Sequence, residues 1–245
     1  SDGRMRHAKS GQWWETAPQM ALSNNSVCYT DKPDGETFLR EWTSLVESKS
    51  GERGIFNRIS AKEQAKKFGR RDADHEFGTN PCSEIILRPY QFCNLTEVVI
   101  REKDKFDDLK RKVRLATILG TAQSTLTKFP YLRKIWQKNT EEERLLGVSL
   151  TGIMDNELTS GKKHGLDKTL EKLREIAVET NKEWSAIFGI PQSTAITCVK
   201  PSGTVSQLVD SSSGIHPRHS SYYIRTVRGD NKDPLTNFMV DSGIP

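Results

Sequence analysis

Three residues at alternate positions could act together on one small polar substrate. The stretch Asn80-Pro81-Cys82-Ser83-Glu84 carries an amide, a thiol and a carboxylate at Asn80, Cys82 and Glu84. In an extended loop, residues two apart point the same way, so this spacing predicts that the three groups converge on one ligand. Taken alone, a cysteine beside a proline is more often a loop residue without chemistry, and its surroundings must decide.

The cysteines indicate a reducing setting rather than a secreted, disulfide-bonded protein. Cys28, Cys82, Cys93 and Cys198 are too few and too irregularly spaced for a secreted disulfide framework. No pair has C-x-x-C spacing and none has a histidine at zinc-finger distance, so no structural zinc site is expected. We expect Cys28 and Cys198 to be buried packing residues, because a free cysteine usually behaves as a small apolar side chain.

A turn late in the chain is a candidate phosphate site. Pro201-Ser202-Gly203-Thr204 lies between an apolar strand predicted at 195–199 and a short apolar segment. Its backbone N–H groups could open a helix and bind phosphate there, although many such turns hold no ligand. His216 and His219 have no carboxylate or thiolate nearby in the sequence, so we assign no metal site to them.

The composition is compatible with anionic ligands without requiring them. The 245 residues include 37 Lys and Arg and 32 Asp and Glu, which gives a formal net charge of +5. The basic residues are spread along the chain beside acidic ones, as on solvated helix faces. No apolar run approaches the ~20 residues of a membrane span, and no signal peptide is recognisable. We therefore expect a cytoplasmic protein that binds neither membranes nor nucleic acid.

The organisation of the chain predicts a single unit. No internal repeat, low-complexity tract or linker divides residues 1–245. The chain does not begin with Met, and its last residues, Asp241-Ser242-Gly243-Ile244-Pro245, complete no recognisable element. We expect a fragment of a longer polypeptide.

Apolar periodicity predicts alternating helices and short strands. Helical spacing recurs at 36–47, from 107 toward 129, and from 167 to 189, where Asp167 is the predicted N-cap. Apolar runs predict strands at 54–57, 145–150 and 195–199, with another run at 85–87. The polar, basic stretch through Arg71 indicates a loop or a surface helix. This alternation favours βα units and a largely parallel sheet, either open or closed.

Two separated blocks together resemble the ribonucleotide reductases. Gln91-Phe92-Cys93-Asn94-Leu95-Thr96-Glu97 follows the first motif with the spacing and neighbourhood of that family's active-site loop. The segments 200–208 and 214–218 resemble its substrate-phosphate loop, in the same order. Similar segments at 24–26, 49–58 and 147–152 extend the resemblance over most of the chain. The second block is most similar to the adenosylcobalamin-dependent class.

The resemblance implies a role for each matched residue. Cys82 becomes a thiyl radical that takes the 3′ hydrogen of the ribose, Glu84 removes the 3′-hydroxyl proton, and Asn80 orients the ribose hydroxyls. Cys93 is one of two thiols that supply two electrons by closing to a disulfide, and its partner is expected outside this chain. The residues expected to contact the substrate phosphates are Ser202, Gly203 and Thr204.

The resemblance also implies a fold and a reaction. The fold is about the later half of a ten-stranded α/β barrel, with a central active-site loop. The reaction reduces ribonucleoside triphosphates, or diphosphates, to 2′-deoxyribonucleotides, with adenosylcobalamin as radical source, a thioredoxin-like dithiol as reductant and an allosteric deoxynucleotide as a further ligand. The alternatives are a reductase that needs a metal-radical subunit and a non-catalytic nucleotide-binding module, which leaves the cysteine motif unexplained.

Overall fold

The computed structural model describes residues 3–23, 25–48, 53–224, 230 and 232–243. Residues 24 and 49–52, which belong to the resembling segments, lie outside these ranges. The strands are β1 (Ser26–Tyr29), β2 (Gly54–Asn57), β3 (Gly78–Thr79), β4 (Ile86–Leu87), β5 (Asn94–Val99) and β6 (Leu146–Thr151). The helices are α1 (Gly3–Arg6), α2 (Trp13–Thr16), α3 (Gly35–Ser48), α4 (Arg58–Lys66), α5 (Phe106–Gln123), α6 (Lys134–Glu143), α7 (Leu166–Phe188), α8 (Val205–Leu208) and α9 (Pro234–Asp241).

The described strands form three separate pairs. β1 pairs with β2 and β5 with β6, both in parallel, with Asn94 opposite Leu146 and Val99 opposite Thr151. β3 and β4 form a short antiparallel pair. The predicted α/β fold with parallel strands is confirmed in these pairs. Within the described ranges the strands neither number ten nor close into a barrel.

The main core lies between the β5–β6 pair and the two long helices, α5 and α7. In each helix the apolar residues recur at helical spacing, so each helix turns one apolar stripe toward the strands. The buried residues are Val98, Ile100, Leu109, Val113, Ala116, Leu146, Val148, Leu173, Ala177 and Ile196. Because side chains alternate along a strand, burying Leu146 and Val148 under the helices leaves Gly147, Ser149 and Thr151 on the opposite face.

The long helices differ from the predictions at their ends. α5 ends at Gln123 instead of continuing toward residue 129, because side chains satisfy the carbonyls there: Arg144 donates to the carbonyl of Ser124 at 2.6 Å. α7 has Gly165 as its N-cap, in the left-handed conformation with φ of 90°, so the prediction of Asp167 as N-cap was wrong. Asp167 lies in the first turn, where a negative charge favours the helix dipole.

The segment 195–199 is not the regular strand that was predicted. It runs parallel to β6 with one β-bridge, between Val148 and Thr197. Three backbone hydrogen bonds, two of which form this bridge, join it to β6; they include Leu146 N to Ala195 O at 3.0 Å and Cys198 N to Val148 O at 3.1 Å. β6 is therefore flanked by β5 on one side and by this irregular segment on the other.

Outside the main core, the sequence predicted some elements and missed others. The helix at 36–47 and the strand at 54–57 are confirmed as α3 and β2, and the basic stretch after β2 forms α4. β1 and α6 were not predicted, because their apolar residues are too few for a clear periodicity. Among the described helices, none combines the length and apolar character needed to cross a membrane.

We predict that a methyl group at Gly152 destabilises the protein by more than the same change at Gly165. Both glycines have positive φ, 78° and 90°, but an added Cβ at Gly152 would lie 2.6 Å from the carbonyl oxygen of Ile100, whereas nothing lies within 4 Å at Gly165. Gly165→Ala should cost roughly 1–2 kcal/mol of unfolding free energy from backbone strain alone, and Gly152→Ala about 3 kcal/mol or more. Urea unfolding of the full-length protein measures both, and equal losses would contradict the predicted steric clash.

Candidate active site

The first motif forms a tight turn at the tip of the β3–β4 hairpin. Ser83 N donates to Asn80 O at 3.0 Å, Asn80 N donates to Ile85 O at 3.3 Å, and Ser83 adopts a φ of +64°. The expectation of an extended loop with three side chains on one side was therefore wrong. The turn instead exposes Cys82 at the tip and turns Glu84 inward.

The Asn80 amide is partly used to hold this turn. Its Oδ1 accepts from Ile85 N at 3.0 Å and from the Thr79 hydroxyl at 3.4 Å. The described part of the chain offers no hydrogen-bond partner to the NH2 group of Asn80. That group remains the donor with which Asn80 can contact a ligand.

Glu84 carries a buried carboxylate with one unused oxygen. Its side chain is 5% exposed, and its Oε1 lies 3.6 Å from Lys200 Nζ. Its Oε2 is buried and has no hydrogen-bond partner among the described residues. A buried polar atom without a partner is costly, so this oxygen is suited to accept a hydrogen bond or a proton from a bound hydroxyl group.

The hairpin rests on the face of β6 that the helices do not cover. Three side chains crowd the position where a Cβ of Gly147 would lie: Leu95, Cys198 with its Sγ at 3.0 Å, and Ile85 with its Cδ1 at 3.4 Å. Any larger residue would displace at least one of them. The missing side chain at Gly147 is thus what lets the hairpin, β5 and the 195–199 segment meet.

Cys93 and Cys198 lie on this face near Glu84. Burial raises the pKa of the Cys93 thiol to about 11, with a smaller contribution from the charge of Glu84. Burial also raises the pKa of the Cys198 thiol to about 12, with further contributions from Cys93 and Glu84. Both groups are therefore neutral thiols at neutral pH, which makes them poor nucleophiles but leaves their S–H hydrogens available.

The packing roles predicted for the other two cysteines need correction. Cys28 is exposed rather than buried. Cys198 is half-buried and lines, together with Glu84, a cavity of about 190 Å3. The sequence contained no signal for this position, because Cys198 reaches the site only through the pairing of its segment with β6.

The candidate phosphate loop turns its serine inward. Ser202 is 4% exposed, and its hydroxyl hydrogen bonds to the Glu97 carboxylate and to Thr151 Oγ1, the latter at 2.8 Å. Gly203 and Thr204 are exposed just before the four-residue helix α8. The structure therefore brings Ser202 to the same sheet face as Cys93, but its hydroxyl is occupied by protein groups.

A buried polar network joins the hairpin to the start of β5. Arg71, Gln91 and Glu143 are all less than 10% exposed and hydrogen bond to one another. The sequence signal for this network was missed, because a basic stretch of this kind usually lies at the surface. Among the described residues, no group of three or more His, Cys, Asp or Glu could hold a metal ion.

Curated relatives of the chain are named adenosylcobalamin-dependent ribonucleoside-triphosphate reductases. The protein of Lactobacillus gasseri is 30% identical over 90% of this chain and 32% of its own length. That of Lactobacillus leichmannii is 31% identical over 76% of this chain and 29% of its length. A probable one from Dictyostelium discoideum is 30% identical over 68% of this chain and 21% of its length. The chain thus spans about a third or less of the relatives it matches, and no protein-family model matches it.

Solved structures share the fold. A B-12 dependent (class II) ribonucleotide reductase superposes with a TM-score of 0.60 at 24% identity, covering 83% of this chain and 32% of the other. The class Id ribonucleotide reductase alpha subunit of Actinobacillus ureae gives a TM-score of 0.55 at 17% identity, covering 90% of this chain and 47% of the other. At these identities the likeness concerns the fold alone.

We predict that Cys93 resists alkylation until the solution is strongly alkaline. With a pKa of about 11, about one Cys93 thiol in a thousand is ionised at pH 8, and the thiolate is the form that reacts. Iodoacetamide labelling of the reduced full-length protein, followed by peptide mapping, should give a Cys93 rate that rises tenfold per pH unit up to about pH 11. The exposed Cys28 reports access of the reagent, and a Cys93 rate that levels off near pH 9 would contradict the prediction.

Proposed function

Because this chain is a homologue of part of the adenosylcobalamin-dependent ribonucleoside-triphosphate reductases, we propose that it carries the catalytic residues of a ribonucleotide reductase. The observation that carries the proposal is the β3–β4 hairpin, which holds an exposed thiol and a buried, unpaired carboxylate oxygen two residues apart. Beneath it lies a sheet face with two neutral thiols. The substrate is a ribonucleoside triphosphate or diphosphate.

The proposed reaction begins at the hairpin. Cys82, as a thiyl radical, takes the 3′ hydrogen atom of the ribose, and the unpaired oxygen of Glu84 accepts the proton of the 3′ hydroxyl. Lys200 beside the other oxygen offsets part of the carboxylate charge in this buried place. The NH2 group of Asn80 orients the ribose hydroxyls. A carboxylate held within hydrogen-bond reach in a dry pocket is a competent base.

Reduction then needs two electrons and a proton for the leaving group. The 2′ hydroxyl departs as water, and two thiols lose their hydrogens and join as a disulfide. Cys93 is one of these thiols, and the raised pKa keeps its hydrogen in place at neutral pH. Its partner is proposed to lie outside this chain. Overall, ribonucleotide plus dithiol gives deoxyribonucleotide plus disulfide and water. At the end Cys82 returns the hydrogen atom to the 3′ carbon, which regenerates the thiyl radical.

The exposure of Cys82 fits adenosylcobalamin as the radical source. When bound, the cofactor supplies the initial radical, and a thiol at the exposed tip of a hairpin can be reached by a bulky group from outside. A buried Cys82 would be out of reach of so large a group. No described residue is assigned to hold the cofactor.

The substrate phosphates are proposed to bind at residues 202–204. The side chain of Ser202 is occupied, so its contribution is restricted to the backbone, while Gly203 and Thr204 face solvent. We further propose that residues 1–245 are part of a ten-stranded α/β barrel, supported by the parallel strand pairs and the shared fold. A thioredoxin-like dithiol as reductant, an allosteric deoxynucleotide and a cytoplasmic location complete the proposal.

The activity test uses the full-length protein with a ribonucleoside triphosphate and a dithiol, with and without adenosylcobalamin, and with no added subunit. Deoxyribonucleotide that forms only with the cofactor supports the proposal. Product without the cofactor would contradict the cofactor assignment. No product in either reaction, followed by product when a metal-radical subunit is added, would establish the alternative class of reductase.

We predict that Glu84→Gln lowers the rate of reduction by about 10²- to 10⁴-fold, the usual contribution of a general base. The amide fills the same space but cannot accept a proton, so substrate binding should change little. Steady-state kinetics of deoxyribonucleotide formation measure both. The control is Glu102→Gln, an exposed carboxylate outside the hairpin, and a Glu84→Gln protein with the parental rate would contradict the role of base.

A further inference from the structure

The Arg71 side chain bonds to three different parts of the chain. Its Nε and Nη2 donate to the two oxygens of Glu143 at the end of α6, each at 2.9 Å. Its Nη1 donates to the carbonyl of Ile86 in β4 at 2.8 Å. Its Nη2 also donates to Oε1 of Gln91 at 3.2 Å. One guanidinium thus connects the hairpin, the approach to β5 and the helix that leads into β6.

Arg71 holds both ends of the hairpin. The carbonyl of Ile86 lies two residues after Glu84, on the return strand. On the outgoing side, the guanidinium lies over the ring of Phe77, 4.7 Å from its centroid, and Phe77 is completely buried just before β3. The Arg71 side chain therefore contacts both ends of the hairpin that carries Cys82 and Glu84.

The second tether leads to Cys93. Gln91 is two residues before Cys93, and it accepts from Arg71 and from Arg88 N at 2.9 Å while donating to Glu143. These bonds hold Gln91 in place three residues before β5 begins. Bonds that meet at Arg71 thus reach both the hairpin and the residue two positions before Cys93.

We propose that Arg71 is a positioning residue that holds the Cys82–Glu84 hairpin in register with Cys93. The expected effect on catalysis rests on the proposed function, whereas the bonds of Arg71 are independent of it. A buried ion pair contributes little net stability, since desolvation offsets most of its attraction. Its value here lies in geometry, because a rigid fork with several donors can bind three separated acceptors at once.

The activity experiment separates positioning from folding. Arg71→Met alone would leave the Glu143 charge buried and could unfold the protein, so the main variant is Arg71→Met/Glu143→Leu, which replaces the pair by apolar side chains of similar size. Such replacements usually preserve or raise stability. We expect a melting temperature near the parental one, a kcat lowered by about 10²-fold, as for small misplacements of reacting groups, and a KM that changes little.

A second readout does not depend on catalysis. In the double variant the approach to Cys93 is loosened, so labelling of Cys93 by iodoacetamide at pH 8 should be at least tenfold faster, while labelling of the exposed Cys28 stays unchanged. Gln91→Met removes the bonds of Gln91 to Arg71, Arg88 N and Glu143. It keeps the bonds of Arg71 to Glu143 and Ile86 and should change Cys93 labelling in the same direction. Arg114→Gln breaks the exposed ion pair of α5 with Glu183 on α7 and serves as the matched control with parental values.

The outcomes are distinct. A folded double variant with low kcat and fast Cys93 labelling supports the positioning role. Parental kcat together with parental labelling would overturn it. If the full-length parent does not reduce ribonucleotides, the proposed function fails, and labelling alone decides whether Arg71 holds Cys93 in place. If the double variant does not fold, Cys93 labelling is compared between Gln91→Met and the parent. Faster labelling in Gln91→Met would support the inference, and parental labelling would overturn it.

Discussion

The buried ion pair of Arg71 and Glu143 brings together stretches of chain that are far apart in sequence. A guanidinium out of water needs acceptors for its donors, and these come from a helix end, a strand carbonyl and a side-chain amide. The two partners are 72 positions apart, and the stretch between them includes the hairpin and the whole of β5 and α5. One buried charge therefore bonds the return strand of the hairpin, the approach to β5 and the end of α6 to one another.

A second constraint is the division of β6 into two faces. The face with Leu146 and Val148 is covered by α5 and α7 and supplies the main core. The other face carries Gly147, where the lack of a side chain lets the hairpin approach the strands. The main core and the candidate site thus lie on opposite sides of the same six residues, an arrangement in which a rigid strand can position the groups of a site.

The chemistry of the thiols follows from where they are buried. Desolvation is the largest cause of the raised pKa at both Cys93 and Cys198, and the nearby carboxylate of Glu84 acts in the same direction. Neutral thiols suit transfer of hydrogen and electrons better than nucleophilic attack. Cys82, by contrast, is exposed at the tip of the turn.

The sequence by itself determined the local features of this protein. The periodicity of α3, α5 and α7 and the apolar runs of β2 and β6 were sufficient, because burial of one face imposes a pattern on neighbouring residues. The two motif blocks likewise identified the reductase relatives from contiguous residues, and the curated names confirmed that resemblance.

Only the tertiary structure decided what depends on residues far apart in the chain. The turn at Ser83, the inward hydroxyl of Ser202, the approach of Cys198 to the site and the partners of Arg71 each require an acceptor or a gap supplied by another element. Such contacts leave no period in the sequence, because the two partners are joined by packing and not by spacing.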